Sequence, residues 1–237
     1  MRAIILAGGK GTRLKPYTAT IPKPLVPIGD GTPILEVILR QLSANGFKEV
    51  TVALNHMANY IKAFFGDGSN LGIEMNYSQE NKPLSTIGPL TLIENLPDNF
   101  LVMNGDILCN LNYKAFFEHH VTSKNDVTVS VFRRDSKIDF GVIGFDSTNR
   151  INSFTEKPTY NFDVSMGIYC ISKKVIQALP ENEIYGFDNL MLDGIKNNLK
   201  MEAVPFNGFW LDIGRPEDYD YANENYLEIF QKLGIQK

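Results

Sequence analysis

The sequence predicts an α/β fold class, a mostly parallel central sheet with helices on both faces, joined to a smaller strand-rich portion. Three observations carry this expectation. Short apolar runs alternate with segments of helical period through the first half; a glycine-rich turn directly follows the first of those runs; and the second half carries closely spaced strand patterns separated by turn residues.

Ala3 to Ala7 is an apolar run that ends in glycines and reads as a buried strand. Pro33 to Leu42 places Ile34, Leu35, Val37, Ile38 and Leu42 at helical spacing, and Gly46 stops it. Glu49 to Leu54 reads as the next strand and Met57 to Phe65 as a helix. Ile73 to Tyr77 and Phe100 to Met103 read as further strands, with a weaker helical candidate, Leu90 to Leu96, between them. Strand–helix–strand alternation at this pitch implies right-handed crossovers and a Rossmann-like sheet, with ligands at the carboxyl ends of the strands. In the second half, 126–132, 141–145, 151–155 and 164–171 read as strands. Helices are expected over 173–179, 188–197 and 216–233. No linker divides the chain, so 1–237 is read as a single domain, with a first half to about residue 110 and a second half beyond it.

The 237 residues, 43% of them hydrophobic, suffice for a substantial core. A formal net charge of -4 argues against a surface built for nucleic acid or anionic lipid, so phosphate groups would have to be met by a local cluster of cations. Two cysteines, Cys109 and Cys170, are too few and too isolated for a disulfide framework. The five-residue apolar stretch near the N-terminus is too short for a signal peptide, and no stretch approaches a membrane span. A soluble cytoplasmic protein is expected. The sequence leaves the oligomeric state open, including a homo-oligomer.

The glycine-rich segment Leu6-Ala7-Gly8-Gly9-Lys10-Gly11-Thr12-Arg13 follows the first strand. Glycines there let backbone N–H groups approach phosphate oxygens. The spacing is neither G-x-G-x-x-G nor a P-loop, since no G-K-[ST] closes it. Ten residues after Arg13, Lys23 stands between Pro22 and Pro24, on a segment stiffened by two fixed φ angles. An arginine fork and a lysine point charge suit a triphosphate. Asp106 and Asp212 each follow an apolar run and could share one hard cation through oxygen ligands.

The run from Leu6 to Pro27, LAGGKGTRLKPYTATIPKPLVP, closely resembles the signature of the sugar-phosphate nucleotidylyltransferases. The resemblance continues through Asn104-Gly105-Asp106, Glu156-Lys157-Pro158 and Gly208-Phe209-Trp210-Leu211-Asp212-Ile213-Gly214. It is most similar to mannose-1-phosphate guanylyltransferase-like members without a C-terminal β-helix domain, on Pro83-Leu84 and Gly88-Pro89-Leu90. This resemblance implies transfer of a nucleotidyl group from a nucleoside triphosphate to a sugar 1-phosphate, with release of pyrophosphate. It implies catalytic Arg13, Lys23 and Asp106; nucleotide contacts from Leu6, Ala7, Gly8, Gly9, Gly11, Thr12, Arg13, Lys23, Glu80 and Gly88; and Mg2+ on Asp106 and Asp212. The sugar phosphate would meet Gly105, Gly141, Glu156 and Lys157. A carboxylate at Glu80 suits the donor edge of guanine, whereas an amide such as Gln79 suits a pyrimidine. GTP with mannose or heptose 1-phosphate is the favoured pair, with UTP, dTTP or CTP as alternatives. Two departures from the family pattern are Ser165-Met166-Gly167, where Asn-Ala-Gly is common, and Leu84-Ser85-Thr86-Ile87-Gly88, where L-G-T-A-G is common. A rival class is a non-catalytic nucleotide-sugar sensor on the same fold, against which the joint presence of Arg13, Lys23, Asp106 and Asp212 argues.

Overall fold

The computed structural model describes residues 1–235. Strand β1 (Arg2–Leu6) leads into the glycine loop and two single 3-10 turns, Thr12–Leu14 and Lys23–Leu25. A small ribbon, β2 (Pro27–Ile28) and β3 (Thr32–Pro33), then feeds α1 (Ile34–Ala44), β4 (Glu49–Leu54), α2 (Ala58–Phe65), β5 (Glu74–Gln79) and β6 (Asn99–Asn104). Beyond β6 come β7 (Ile107–Cys109), α3 (Tyr113–Ser123), β8 (Val127–Lys137), β9 (Val142–Phe145), β10 (Ile151–Thr155) and β11 (Thr159–Ser172). The chain closes with α4 (Lys173–Gln177), α5 (Phe187–Lys196), β12 (Met201–Phe206), β13 (Trp210–Asp212), α6 (Pro216–Glu224) and α7 (Tyr226–Lys232).

The central seven-stranded sheet has the order β12-β8-β11-β6-β1-β4-β5. Pairings β5–β4, β4–β1, β1–β6 and β8–β12 are parallel, while β11 runs antiparallel to both neighbours. The expected mostly parallel sheet is thus present, with β11 as its reversed strand. Alternating side chains sort the core into two layers. Ala3, Ile5, Leu101, Met103, Ile168 and Cys170 face one way, against residues of α1, α2, α3, α6 and α7. Ile4, Phe100, Val102, Tyr169 and Ile171 face the other way, against the turn Gly88–Leu92, α4 and α5.

The order of strands reverses at β1: β4 and β5 lie on one side of it and β6 on the other. The loops after β1 and β6 therefore leave the same edge of the sheet side by side. Gly105 N donates to Leu6 O at 2.9 Å across that switch point.

Several elements differ from the sequence expectation. The region 90–96 holds a 3-10 turn, Gly88–Leu92, in place of an α-helix. The last helix is two helices, broken at Asn225, whose side-chain amide donates to Tyr221 O at 2.9 Å and so competes with the helical ladder. Strands β8 and β11 run beyond the core as an exposed ribbon, Arg133–Lys137 paired with Thr159–Asp163, beside the exposed hairpin β9–β10. The expected strands end at Phe132 and begin at Val164, where burial by the core stops.

Candidate active site

The carboxyl ends of four neighbouring strands build one cleft of about 480 Å³. From β1 come Leu6, Ala7 and the loop from Gly8 to Arg13; from β6, Asn104, Gly105 and Asp106; from the ends of β4 and β5, Asn55 and Glu80. Backbone bonds hold these loops to the sheet: Ala7 N donates to Ala53 O at 2.9 Å and Glu80 N to Leu54 O at 3.0 Å.

The glycine loop is shaped by close approach and by handedness. A Cβ on Gly8 would lie 3.2 Å from Glu80 Oε1 and 3.3 Å from Asn55 Cβ, so the loop passes close over the strand ends and leaves little room for a side chain. Gly11 takes φ +61, a left-handed conformation, and its carbonyl accepts the Thr18 hydroxyl at 2.7 Å. Arg13 follows on the 3-10 turn Thr12–Leu14, whose Leu14 is buried and anchors it.

Lys23 opens the turn Lys23–Leu25 with Pro24 at its second position; the turn is closed by Leu25 N to Pro22 O at 2.8 Å and Val26 N to Lys23 O at 3.0 Å. The stiff segment is therefore a tight turn. Its Nζ donates to Asp106 Oδ2 at 2.5 Å, with both side chains largely withdrawn from water.

Asp106 and Asp212 are brought together by a two-stranded ribbon. In β7–β13, Asp212 is the register partner of Ile107, and Ile213 N donates to Asp106 O at 3.0 Å. Asp106 Oδ1 and Asp212 Oδ1 are both buried and accept no hydrogen bond among the described residues. Burial, reinforced by the Asp106 charge, pushes the Asp212 carboxyl above its ordinary pKa, while Lys23 and Arg13 partly offset the shift. Two hard carboxylate oxygens without donors, one from Asp106 in the cleft wall and one from Asp212 beside it, fit a magnesium ion that would complete its shell from substrate and water. Among the described residues no group of three or more His, Cys, Asp or Glu side chains is arranged for a metal; a two-carboxylate site matches magnesium's sparing use of protein ligands.

Gly214 marks where Arg13 joins this pair. An ideal Cβ there would stand 3.4 Å from Asp212 Oδ1 and 3.8 Å from Arg13 Nη1. The structure thus gathers Arg13, Lys23, Asp106 and Asp212 at one end of the cleft.

At the other end, Glu80 is buried with its carboxylate facing the cleft. Oε1 accepts Asn55 Nδ2 at 2.8 Å and Oε2 accepts Leu84 N at 3.0 Å, which leaves lone pairs on both oxygens. Strand alternation turns Gln79 away from the cleft, where its Oε1 accepts Lys62 Nζ at 2.9 Å. Ser85, at the position where family members often carry glycine, takes φ +69 and lines the cleft with Thr86.

The remaining expected residues fall elsewhere. Gly88 is buried behind the wall; its N donates to Tyr185 O at 2.8 Å, and a Cβ there would meet Glu183 O at 2.5 Å, so close packing accounts for that glycine. Gly141, Glu156 and Lys157 lie on the exposed hairpin arm, outside the cleft wall. A Cβ on Gly141 would stand 3.2 Å from Glu156 Oε2, so these two are neighbours within the arm. Asn55 escaped sequence reasoning, although its place just after a parallel strand was the available signal.

A nucleotidyl transferase family model matches residues 2–229. The chain belongs to this family. As a nucleotidyl transferase it is 33% identical over 249 residues to mannose-1-phosphate guanylyltransferase 1 of Arabidopsis thaliana, a match covering 100% of this chain and 68% of that one. It is 31% identical over 247 residues to the UTP–glucose-1-phosphate uridylyltransferase of Synechocystis, covering 96% of this chain and 63% of that one. This chain spans 60% to 68% of the length of such relatives. The crystal structure of HddC from Yersinia pseudotuberculosis complexed with GMP-PN superposes with a TM-score of 0.72 at 30% identity, covering 95% of this chain and 99% of that one.

Proposed function

We propose that this nucleotidyl transferase moves the guanylyl group of GTP to a sugar 1-phosphate, with mannose or heptose 1-phosphate as acceptor. The observation that carries the reading is a single cleft with a phosphate-binding loop, Arg13 and Lys23 at the end where Asp106 and Asp212 meet, and the Glu80 carboxylate at the other. Guanine offers two adjacent donors, N1–H and N2–H2, to a carboxylate. Uracil offers one donor between two carbonyl oxygens, which a carboxylate repels. Gln79, the amide suited to a pyrimidine, faces away. Similarity to mannose-1-phosphate guanylyltransferase 1 and to HddC with its bound GMP-PN supports the same base.

In this reading an acceptor phosphate oxygen attacks the α-phosphorus of GTP. A new P–O bond forms, the bond from the α-phosphorus to the bridging oxygen breaks, and pyrophosphate leaves with that electron pair. The attacking phosphate is already ionised at neutral pH, so no protein nucleophile is required. Backbone N–H groups of the glycine loop and the Arg13 fork hold the β- and γ-phosphates, and Lys23 reaches the α-phosphate. Mg2+ on Asp106 and Asp212 would supply charge neutralisation at the α-phosphate and the leaving group. Catalysis is positioning plus electrostatics. We assign Gly105 to the cleft floor, and Glu156, Lys157 and Gly141 to acceptor contacts from the arm. The same reading treats 1–237 as one domain of two functional halves, working in the cytosol. Its two cysteines are free and buried, and among the described residues no helix is long and apolar enough to cross a membrane.

The test is pyrophosphate release with GTP, UTP, dTTP and CTP, each against a panel of sugar 1-phosphates. The expected result is fastest release with GTP and a manno-configured acceptor. Nucleotide binding without release from any pair would favour a sensor instead.

A further inference from the structure

The turn that follows Glu80 carries a backbone outlier on the cleft wall. Ser85 takes φ +69, the left-handed region that disfavours any residue with a Cβ. Its neighbours fix it there. Leu84 O accepts Tyr185 N at 3.0 Å, Ile87 N and Gly88 N donate to Tyr185 O at 2.9 and 2.8 Å, and Thr86 Oγ1 accepts Phe187 N at 2.7 Å. None of these bonds uses the Ser85 side chain, so a glycine would make the same turn without strain. The backbone therefore does not explain the serine. Its hydroxyl has no hydrogen-bond partner among the described residues, and the residue lines the cleft. Strain of this kind persists where the surroundings over-determine it, characteristically at ligand sites.

The order of groups along this wall matches one edge of a base. Glu80 Oε1 accepts Asn55 Nδ2 and lies 3.2 Å from the ideal Cβ position of Gly8, so it faces the phosphate-binding loop. Oε2 accepts Leu84 N and so faces the turn that carries Ser85. The Ser85 hydroxyl stands farther along, on the α5 side, 3.2 Å from the ideal Cβ position of Gly186. A nucleotide with its phosphates on the Gly8 loop brings the sugar side of its base to Oε1 and the far side to Ser85. On guanine's Watson–Crick edge the N2 amine is the end nearer the sugar, N1–H is in the middle and the O6 carbonyl is the far end. The carboxylate takes the two donors. O6 needs a donor of its own, and a hydroxyl supplies one.

We infer that the Ser85 hydroxyl donates to O6 of the bound guanine, so that three groups, Glu80 Oε1, Glu80 Oε2 and Ser85 Oγ, read the base edge together. Ser85 is thus a specificity-determining residue at a position where family members often carry glycine. The inference deepens the guanylyl-transfer reading and rests on it.

The experiment is calorimetric titration of GTP, 6-thio-GTP, ITP and UTP, each with Mg2+ and no acceptor, into wild type, Ser85→Gly and Ser85→Ala. 6-Thio-GTP keeps N1–H and the N2 amine and replaces O6 with sulfur, a weak acceptor. Wild type should bind GTP about fivefold more tightly than 6-thio-GTP, the scale of one neutral hydrogen bond. Both variants should lose that preference through weaker binding of GTP and keep the wild-type preference for GTP over ITP. Ser85→Gly, which relieves the backbone, should unfold no earlier than wild type. Equal binding of GTP and 6-thio-GTP by wild type would overturn the assignment, as would a preference kept in either variant. A preference lost through tighter binding of 6-thio-GTP would be steric and would overturn it too. Wild type that binds UTP as tightly as GTP would instead sink the guanylyl reading, and this inference with it, so the two failures are told apart.

Discussion

Lys23 Nζ sits 2.5 Å from Asp106 Oδ2, so the cation expected to hold substrate phosphate is the counter-ion of a carboxylate expected to hold metal. The two side chains are only 11% and 22% exposed, and a charge so placed is costly to leave alone. In the proposed reading, arriving phosphates would offer Lys23 a second anion and free Asp106 for magnesium, which would couple nucleotide and metal binding.

Lys23→Met removes the placeholder. Nucleotide-free protein should then bind Mn2+, read by electron paramagnetic resonance, at least tenfold more tightly than wild type does. The variant should also lose about 3 kcal/mol of stability, the usual cost of breaking a buried pair, and recover part of it when metal is added. Unchanged metal affinity would mean that the pair does not compete with the ion.

Glu80→Gln tests how the base is read. Asn55 can turn its amide over and satisfy a glutamine in the same place, so the fold should survive. The cleft would lose a carboxylate acceptor, and kcat/KM for GTP should fall by roughly 10- to 100-fold. Wild type should also prefer GTP over ITP, which lacks the N2 amine, and the variant should lose that preference. If discrimination between GTP and ITP persists in Glu80→Gln, other groups read the guanine.

A pH effect is expected far from the cleft. His120 is fully buried between α3 and the sheet, with Nδ1 2.8 Å from Thr128 Oγ1 and Nε2 3.1 Å from Asn99 Oδ1. Burial pushes its pKa down from 6.5 to about 4, against an opposing pull from Asp126. The folded state therefore refuses a proton that the unfolded chain accepts below pH 6.5. Stability from this group is complete above that pH and is lost as pH falls from 6.5 toward 4. Denaturant unfolding at pH 7 and pH 5 should show a loss of about 2 kcal/mol. His120→Asn, whatever its absolute stability, should lose most of that pH slope; an unchanged slope would assign the effect to other groups.

Much of the fold and site was legible because it rests on short-range physics. The apolar runs of β1, β4 and β6, the glycine spacing at Gly8 to Gly11, and Lys23 between prolines are local signals. Asp106 and Asp212 were found singly, but their meeting depends on the β7–β13 ribbon, whose three-residue strands carry no readable period. Helix α3 was missed because its inward positions are Tyr113, Phe116 and His120, and a buried histidine breaks the apolar stripe. Strand β12 lies at the sheet edge, half-buried and containing Pro205, so it shows no clean alternation.

The central claim is that the Asp106–Asp212 pair serves transfer chemistry in this cleft, and Asp106→Asn tests it most directly. The measurement is steady-state pyrophosphate release with GTP and mannose 1-phosphate at saturating Mg2+, alongside thermal unfolding to establish the fold. The account predicts a folded variant whose turnover is lower by at least roughly two orders of magnitude, the scale of lost electrostatic catalysis. Near-wild-type turnover in the folded variant would contradict it.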